Sequence, residues 1–267
     1  MIGIFDSGLG GLTIFKEVEK RLPQYDYIYL GDNARAPYGD HSQETILKYT
    51  TEAVDYLFKQ GCQLVLLACN TASAEALRTL QQQWLPKHYS GRNILGVIRP
   101  LAEAAVENTR NKKVAVLGTR SAVNSHAYRR EITKLNPKIT VIEQACRLLV
   151  PLIEEGTERK AAARMILKNY LRPVKSHNPD TAVLGCTHYG IMLRDIVHGF
   201  GRNITVLDSG TIVAEKFVDY LDRHPEHERK ISRGSRRDFL TTETTDIVRP
   251  LAKKFLGKDV IFKTAVL

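Results

Sequence analysis

The chain has 267 residues, of which 43% are hydrophobic and 25% charged, and it is long enough for one large or two small globular domains. This composition excludes a disordered chain, and no apolar run reaches the roughly 18 residues that a membrane span requires. Lys and Arg outnumber Asp and Glu by 39 to 29, and the formal net charge of +10 favours small acidic ligands. The densest basic cluster, residues 229–237, has no interleaved aromatic residues and is typical of a connecting loop, so it does not indicate nucleic-acid binding.

Cysteine usage and the first residues of the chain favour a reducing compartment. The four cysteines have no CxxC spacing, so we expect free thiols. Residues 1–6 have neither the basic region nor the long apolar region that marks a protein for export. We therefore expect a cytoplasmic protein without a membrane anchor. The sequence does not determine the oligomeric state, and a homodimer is kept as a candidate assembly.

Short apolar runs alternate with amphipathic stretches along the chain. Eight runs have the length and residue types of buried strands: residues 2–5, 27–30, 64–67, 94–97, 114–117, 140–142, 182–184 and 204–207. Between them, stretches such as 42–59 and 161–171 carry apolar residues at helical spacing. This alternation predicts an α/β fold with doubly wound, mostly parallel sheets.

The two halves of the chain share a weak repeat. The first strand of each half ends in small polar residues, at Asp6 and at Gly118, and Cys69 and Cys186 follow these positions by 63 and 68 residues. This spacing predicts two similar α/β domains related by a pseudo-twofold axis: residues 1–97 with 208–267, and residues 98–207. We expect the functional site in the cleft between them, because open α/β sheets bind ligands beyond the carboxyl ends of their strands.

Two polar loops follow predicted strands. The segment Gly8-Leu9-Gly10-Gly11 lacks the Lys-Ser/Thr of a P-loop and the third glycine of a dinucleotide fingerprint. It therefore predicts a tight turn that presents Asp6 and Ser7. The second loop, residues 31–39, combines Asp, Asn, Arg and Tyr at a strand end, which is typical of a ligand-contacting loop, although an ordinary surface loop stays open as an alternative.

The four cysteines divide into two kinds. We assign Cys62 and Cys146 to the core, where free cysteine is most often found. Cys69 and Cys186 each end a strand and precede polar residues that can stabilise a thiolate. His188 lies two positions after Cys186 and is a candidate for proton transfer. No metal site is indicated, because these residues supply three ligands at most and structural zinc takes four.

Five segments together resemble one known family: residues 3–11, 31–39, 68–72, 149–156 and 185–190, which read GIFDSGLGG, GDNARAPYG, ACNTA, LVPLIEEG and GCTHYG. In this order and spacing they resemble the cofactor-independent glutamate racemases over nearly the whole chain. The resemblance implies two α/β domains with the active site between them and the reversible conversion of L-glutamate to D-glutamate for bacterial peptidoglycan. It also implies that no cofactor is required.

The resemblance further implies roles for individual residues. Cys69 would deprotonate D-glutamate and Cys186 would deprotonate L-glutamate, which agrees with the base and acid that racemisation needs on opposite faces of the α-carbon. Asp6, His188 and Glu154 would assist proton movement. The implied substrate contacts are Asp6, Ser7, Tyr38, Gly39, Asn70, Thr71, Thr119, Thr187 and His188.

Two positions depart from the family's usual pattern, and two other functions stay open. Arg147 stands where the family commonly has proline, and Arg99 lies in a segment that often differs. A basic residue near the cleft would alter how an acidic ligand is admitted. An aspartate racemase or a broader acidic-amino-acid racemase would use the same two cysteines with a different pocket length. A module that binds an anion or a nucleic acid is the more distant alternative.

Overall fold

The protein, described over residues 1–267 by a computed structural model, contains two β-sheets in which every strand pair is parallel. The first sheet consists of β1 (Ile2–Asp6), β2 (Tyr27–Gly31), β3 (Leu64–Leu67), β4 (Asn93–Gly96), β9 (Arg237–Thr241) and β10 (Phe262–Thr264). The second sheet consists of β5 (Lys113–Gly118), β6 (Thr140–Ala145), β7 (Thr181–Gly185) and β8 (Thr205–Leu207).

Helices connect the strands. The α-helices are α1 (Leu12–Arg21), α2 (Gln43–Lys59), α3 (Asn70–Glu75), α4 (Leu77–Thr79), α5 (Leu85–His88), α6 (Ile98–Asn108), α7 (Arg120–Asn124), α8 (Ala127–Leu135), α9 (Leu149–Glu154), α10 (Ala161–Lys175), α11 (Leu193–Phe200), α12 (Ser209–Arg223), α13 (Pro225–Glu228) and α14 (Val248–Leu256). A π-helical turn spans Leu80–Trp84, and 3₁₀ turns span Asn33–Arg35, Tyr38–Asp40 and Thr187–Met192. None of the helices is both long enough and apolar enough to cross a membrane.

The two sheets repeat one strand order. The second sheet runs β6-β5-β7-β8, and the first contains the corresponding order β2-β1-β3-β4, with β9 and β10 added beyond β2. In each sheet the chain moves from the central first strand to one side and later returns to the other side. This reversal leaves a crevice beyond the carboxyl ends of the central strands, which are β1 and β3 in one sheet and β5 and β7 in the other. The predicted α/β fold with two parallel-sheet units is confirmed.

The strands are hydrophobic because both of their faces lie in an apolar core. All residues of β1, β2, β3 and β7 are buried, as expected for parallel strands covered by helices on both faces. One continuous apolar cluster includes Ile4 of the first sheet and Val116 of the second. It also includes Phe217 of α12, a helix that contacts α1, α6 and β7. The two sheets therefore share part of one core.

We propose that the chain forms two domains: residues 1–97 with 208–267, around the first sheet, and residues 98–207, around the second. With this division α12 belongs to the first domain and supplies much of the apolar contact between the domains.

The sequence does not predict β9 and β10. The first two residues of β9, Arg237 and Asp238, are charged, which conceals the strand. Arg237 therefore belongs to a strand and not, as predicted, to a connecting loop, and its Nε donates to Glu19 Oε1 at 2.8 Å. The edge strand β10 has only three residues. The strand β4 begins and ends one residue earlier than predicted, because Val97 already starts the turn into α6.

Candidate active site

A cavity of about 350 Å³ lies where the carboxyl edges of the two sheets meet. Residues that follow β1, β2 and β3 line it from one side, and residues that follow β5, β6 and β7 line it from the other. The cavity wall includes the predicted site residues Ser7, Tyr38, Gly39, Cys69, Asn70, Thr71, Thr119, Glu154, Cys186, Thr187 and His188. Asp6 is the exception, since it is buried behind the first loop and its Oδ2 accepts a hydrogen bond of 3.0 Å from Gly8 N.

Cys69 lies at the start of a helix on the first side of the cavity. It follows β3 and caps α3, where its Sγ accepts from the backbone N–H of Ala72 at 3.4 Å. The Ser7 hydroxyl lies 3.3 Å from the same sulfur. Burial and the charge of Asp6 raise the pKa of Cys69 to about 12, against the lowering effect of these two hydrogen bonds. At neutral pH Cys69 is therefore a thiol that can donate a proton.

Asp6 is the buried carboxyl group on the Cys69 side. Burial raises the pKa of Asp6, while the charge of His188 and the backbone N–H groups of Gly11 and Gly8 act in the opposite direction. The balance leaves a carboxyl group that takes up a proton more readily than an exposed aspartate does. Asp6 can therefore exchange a proton within the site without lining the cavity.

Cys186 faces a histidine on the second side. Its Sγ lies 3.8 Å from His188 Nδ1, and the other ring nitrogen, Nε2, lies 2.9 Å from Glu154 Oε1. Burial lowers the pKa of His188, but its hydrogen bonds and charge interactions with Cys186 and Glu154 outweigh burial and raise that pKa to about 10. At neutral pH the imidazole is therefore protonated. A protonated imidazole stabilises a thiolate beside it.

The first loop contacts this histidine directly, which explains one of its glycines. A Cβ at Gly10 would lie only 2.5 Å from His188 Cε1, closer than any side chain tolerates. Thr13 reinforces the same contact, because its hydroxyl donates to the Thr187 carbonyl at 3.1 Å. The loop after β1 thus packs against the residues after β7, and the two sides of the cavity meet there.

Asn70, a residue of the cavity wall, has one side-chain hydrogen-bond donor without a partner. Its Oδ1 accepts from the Tyr128 hydroxyl, whereas its Nδ2 is buried and has no partner in the protein. Buried polar atoms are almost always paired, so an unpaired amide in a cavity wall is suited to a ligand oxygen. On the opposite side, Thr187 is also nearly fully buried.

The Tyr38 hydroxyl already has a hydrogen-bond partner within the protein. It donates to Asp32 Oδ2 at 2.5 Å, and burial together with the Asp32 charge raises the pKa of Tyr38. The hydroxyl is thus already engaged, and Tyr38 offers its ring and backbone to the cavity. Asp32 also accepts from Arg35 Nε at 2.7 Å and from the Thr242 hydroxyl at 2.8 Å, which fixes this loop to the segment after β9.

The structure adds cavity residues that the sequence did not suggest. They include Arg120, Glu243, Thr245, Ile247, Val248 and Leu251. The last five come from the segment after β9, and no motif in the sequence connects that segment with the cysteines. Arg147, noted as a departure from the family pattern, also lines the cavity. Arg99 does not, since it pairs with Glu103 at 2.7 Å and Glu131 at 3.2 Å elsewhere.

The cysteines are all free, and the remaining two are buried. Cys62 lies in the apolar cluster beneath the first sheet. Cys146, assigned to the core from the sequence, is fully buried but also forms part of the cavity wall. No three His, Cys, Asp or Glu side chains come together in a group that could hold a metal ion. The cavity wall brings the thiols of Cys69 and Cys186 together with a histidine and carboxyl groups, all of which can transfer protons.

Comparison with known proteins assigns this fold and site to a class. Residues 12–217 match the family model for Asp/Glu/Hydantoin racemase, and the chain belongs to this family. The enzyme class is that of the racemases, which are isomerases.

Full-length relatives make the comparison more specific. The chain is 38% identical over 276 residues to a glutamate racemase from Cereibacter sphaeroides, with 99% of each chain covered. Its structure matches that of a glutamate racemase isoform from Bacillus anthracis with a TM-score of 0.91 and 30% identity, covering 100% of this chain and 97% of the other. A glutamate racemase from Francisella tularensis, solved in complex with D-glutamate, matches with a TM-score of 0.89 and 29% identity over 99% and 97%. The resemblance predicted from the motifs is confirmed.

Proposed function

We propose that the protein is a glutamate racemase that interconverts L-glutamate and D-glutamate with Cys69 and Cys186 as its two acid–base groups. One observation carries this proposal: two thiols, from equivalent strand ends of two sheets, line the same cavity. Racemisation removes the α-proton from one face of the substrate and returns a proton to the other, so it needs two such groups in opposition. The names of full-length relatives support glutamate as the substrate.

The reaction with D-glutamate begins at Cys69. Its thiolate takes the α-proton, the electron pair of the broken C–H bond is held by the substrate's α-carboxylate, and the Cys186 thiol donates a proton to the opposite face. With L-glutamate the roles exchange. In either direction one C–H bond breaks, another forms, and each cysteine ends in the protonation state in which the other began.

The environments of the two cysteines differ. Cys69 is a neutral thiol because burial and Asp6 raise its pKa, whereas Cys186 lies beside a protonated imidazole. A proton donor at Cys69 suits the reaction with L-glutamate, in which Cys186 takes the α-proton. For D-glutamate, Asp6 is the group next to Cys69 that can take up its proton.

Substrate binding requires partners for an ammonium group and two carboxylates, because an unpaired charge in a closed cavity is costly. The unpaired Nδ2 of Asn70 and the hydroxyls of Ser7, Thr71 and Thr187 are the donors we assign to the carboxylates. Thr119, the backbone at Tyr38 and Gly39, and His188 complete the proposed set.

Proton exchange in D₂O tests both the substrate and the mechanism. Purified protein should exchange the α-proton of L-glutamate and accumulate D-glutamate, as followed by NMR and chiral chromatography. Replacement of either Cys69 or Cys186 by alanine should slow racemisation by roughly 10²-fold or more, the contribution of a general acid or base. Cys62→Ala is the matched control, since Cys62 is buried outside the cavity, and it should keep the wild-type rate.

Three outcomes would contradict the proposal. Exchange with aspartate but not with glutamate would make the protein an aspartate racemase, and equal rates would make it a broader acidic-amino-acid racemase. Racemisation that survives both cysteine replacements would exclude the two-cysteine mechanism.

The proposed cellular role is the supply of D-glutamate for peptidoglycan. Expression of the wild-type protein should restore the growth of a bacterium that depends on added D-glutamate, and the Cys69→Ala variant should not. Nucleic-acid binding is not favoured by the basic cluster at 229–237, because Arg233, Arg236 and Arg237 in it pair with Glu228, Asp238 and Glu19. DNA binding that weakens steeply with salt, with no turnover of glutamate, would support that alternative instead.

A further inference from the structure

The helix α14 connects β9 and β10 of the first sheet, yet it contacts the segment between β6 and β7 of the second sheet. The ammonium group of Lys254, near the end of α14, donates to the Ile153 carbonyl at 2.6 Å. The same Nζ lies 2.9 Å from Glu158 Oε1. Lys254 therefore contacts the chain on both sides of Glu154, the residue whose carboxylate meets His188.

Both acceptors favour a cation. The Ile153 carbonyl lies in the last turn of α9, where the helix dipole favours a positive charge, and it accepts from Lys254 in addition to the backbone N–H of Gly156 at 3.2 Å. Glu158 is buried, with 6% of its surface exposed, and its other carboxylate oxygen has no partner. A buried carboxylate requires a cation, and Lys254 is the only one that pairs with it.

Glu154 itself depends on its surroundings for its position. Its side chain is 43% exposed, and its only partner is His188 Nε2 at 2.9 Å. A glutamate with that much solvent contact loses substantial rotamer freedom when it is held on one partner. It reaches the imidazole reproducibly only if the segment from 153 to 158 is fixed, and Lys254 holds that segment through the Ile153 carbonyl at one end and the Glu158 carboxylate at the other.

The residue after Lys254 contacts the histidine. The ring of Phe255 packs edge-on against the His188 ring, with the centroids 5.1 Å apart and an interplanar angle of 80°. One turn of α14 thus contacts His188 and the residues on both sides of Glu154. Lys254 does not line the cavity, so it has no contact with a ligand bound there.

We propose that Lys254 is a positioning residue of the reaction: from the first sheet's unit it holds the backbone of Glu154, and through Glu154 it keeps the His188 imidazole aligned with the Cys186 thiol. The inference rests on the proposed racemase function. It assigns a role in proton transfer to a lysine that lies outside the cavity and outside the five motifs.

Steady-state kinetics of Lys254→Met test the inference. The variant keeps the length of the side chain and removes its charge. We expect kcat to fall about tenfold in both directions with KM unchanged, since the substrate contacts remain while the acid–base pair loses its alignment. Lys253→Met is the matched control, because Lys253 is exposed on the same helix, and it should retain the wild-type kcat. An unchanged kcat in Lys254→Met, or a rise in KM alone, would overturn the inference.

A double-mutant cycle shows whether Lys254 acts through Glu154. Glu154→Gln should lower kcat by itself, and addition of Lys254→Met should then produce little further loss, because coupled residues are not additive. Additive losses would overturn the inference. Wild-type protein that fails to racemise glutamate would instead refute the proposed function, so the two failures are distinguishable.

A third variant allows for a folding defect in Lys254→Met, which leaves Glu158 as an unpaired buried charge. Lys254→Met combined with Glu158→Gln removes both charges and still breaks the hydrogen bond to Ile153. This double variant should unfold at a temperature close to that of the wild type and remain about tenfold slower in kcat. Full recovery of kcat would show that Lys254 only neutralises Glu158, and it would refute a positioning role.

Discussion

Thr71 and Thr119 come from opposite sides of the cavity, and their hydroxyl oxygens lie 3.0 Å apart in a direct hydrogen bond. Thr71 belongs to α3, next to Cys69, and Thr119 directly follows β5. Gly39 packs against the same threonine, since a Cβ at residue 39 would lie 3.3 Å from Thr119 Cβ. The two sides therefore touch at a polar contact that a bound substrate either uses or replaces.

The variant Thr71→Val tests the importance of this contact. Valine has nearly the shape of threonine but lacks the hydroxyl, so it removes one hydrogen bond worth ~1 kcal/mol and leaves the packing intact. We expect KM for glutamate to rise about fivefold, which corresponds to that energy. Thr51→Val is the control, because the Thr51 hydroxyl bonds only to the Leu47 carbonyl within α2, and it should leave KM unchanged. If Thr71→Val has the wild-type KM, this hydroxyl contributes neither to the contact between the two sides of the cavity nor to substrate binding.

The pH dependence of the reaction depends on Glu154. Interactions with Cys186 and Glu154 raise the pKa of His188 to about 10 despite burial, so the imidazole keeps its proton through neutral and mildly alkaline pH. Glu154→Gln removes a negative partner and must lower that pKa. The alkaline limb of kcat with D-glutamate, the direction in which the Cys186 side donates the proton, should therefore move towards neutral pH.

Glu155→Gln provides the control for this pH profile, since Glu155 is exposed and has no ion-pair partner. Its alkaline limb should coincide with that of the wild type. The same pKa decides how the stability of the folded protein changes with pH. A histidine whose pKa is higher in the folded state contributes stability that is complete below its ordinary value of 6.5 and is lost as the pH rises to about 10. A Glu154→Gln profile that matches the wild type would contradict this account.

Gly10 is required by the close approach of the first loop to His188. In Gly10→Ala the new methyl group meets the imidazole ring, so either the loop or the ring must move. Such overpacking costs about 1–3 kcal/mol, and we expect the melting temperature to fall by roughly 2–10 °C. Gly8→Ala is the control for stability, because a Cβ there meets no atom within 4 Å, and it should melt at the wild-type temperature. Equal melting temperatures for the two variants would mean that the loop after β1 shifts to accommodate the new methyl group without loss of stability.

Arg147 adds a positive charge to the cavity wall. It forms no ion pair within the protein, and it is exposed. A charge at this position attracts a dicarboxylate by about 1 kcal/mol in solvent of high dielectric constant. Arg147→Gln should therefore raise KM about fivefold with little change in kcat, and the dependence of KM on salt should weaken. Arg172→Gln, on the exposed surface of α10, should alter neither quantity, and an unchanged KM in Arg147→Gln would exclude electrostatic attraction at this position.

The cysteine side of the site was predictable because strand ends are visible in the sequence. The apolar runs before Cys69 and Cys186 stop at polar residues, and parallel strands bring their carboxyl ends to one edge. The repeat of strand order follows from the same pattern, since each half begins with an apolar run and reaches its cysteine strand after a similar length of chain. These predictions rest on local hydrophobicity, which the sequence shows directly.

The contribution of α14 could not be predicted in the same way. Its residues Val248, Leu251 and Phe255 form an ordinary amphipathic pattern, whose apolar face would suit any core. Only the addition of β9 and β10 beyond β2 brings this helix to the cavity, and β9 begins with two charged residues. The hydrogen bond of the Tyr38 hydroxyl could not be predicted for a related reason. The sequence does not show that Asp32 is its partner, because only the folded loop brings the two side chains together.

The late position of α14 in the chain has a consequence for biosynthesis. Both cysteine strands are made by residue 186, whereas Lys254, which contacts Ile153 and Glu158, and Phe255, which contacts His188, are translated later. β9, which pairs with β2 in the first sheet, is also made after every strand of the second sheet. A nascent chain on the ribosome can therefore form both cysteine strands before it can hold the acid–base pair in place. The acid–base pair is therefore held in place only after α14 has left the exit tunnel and docked.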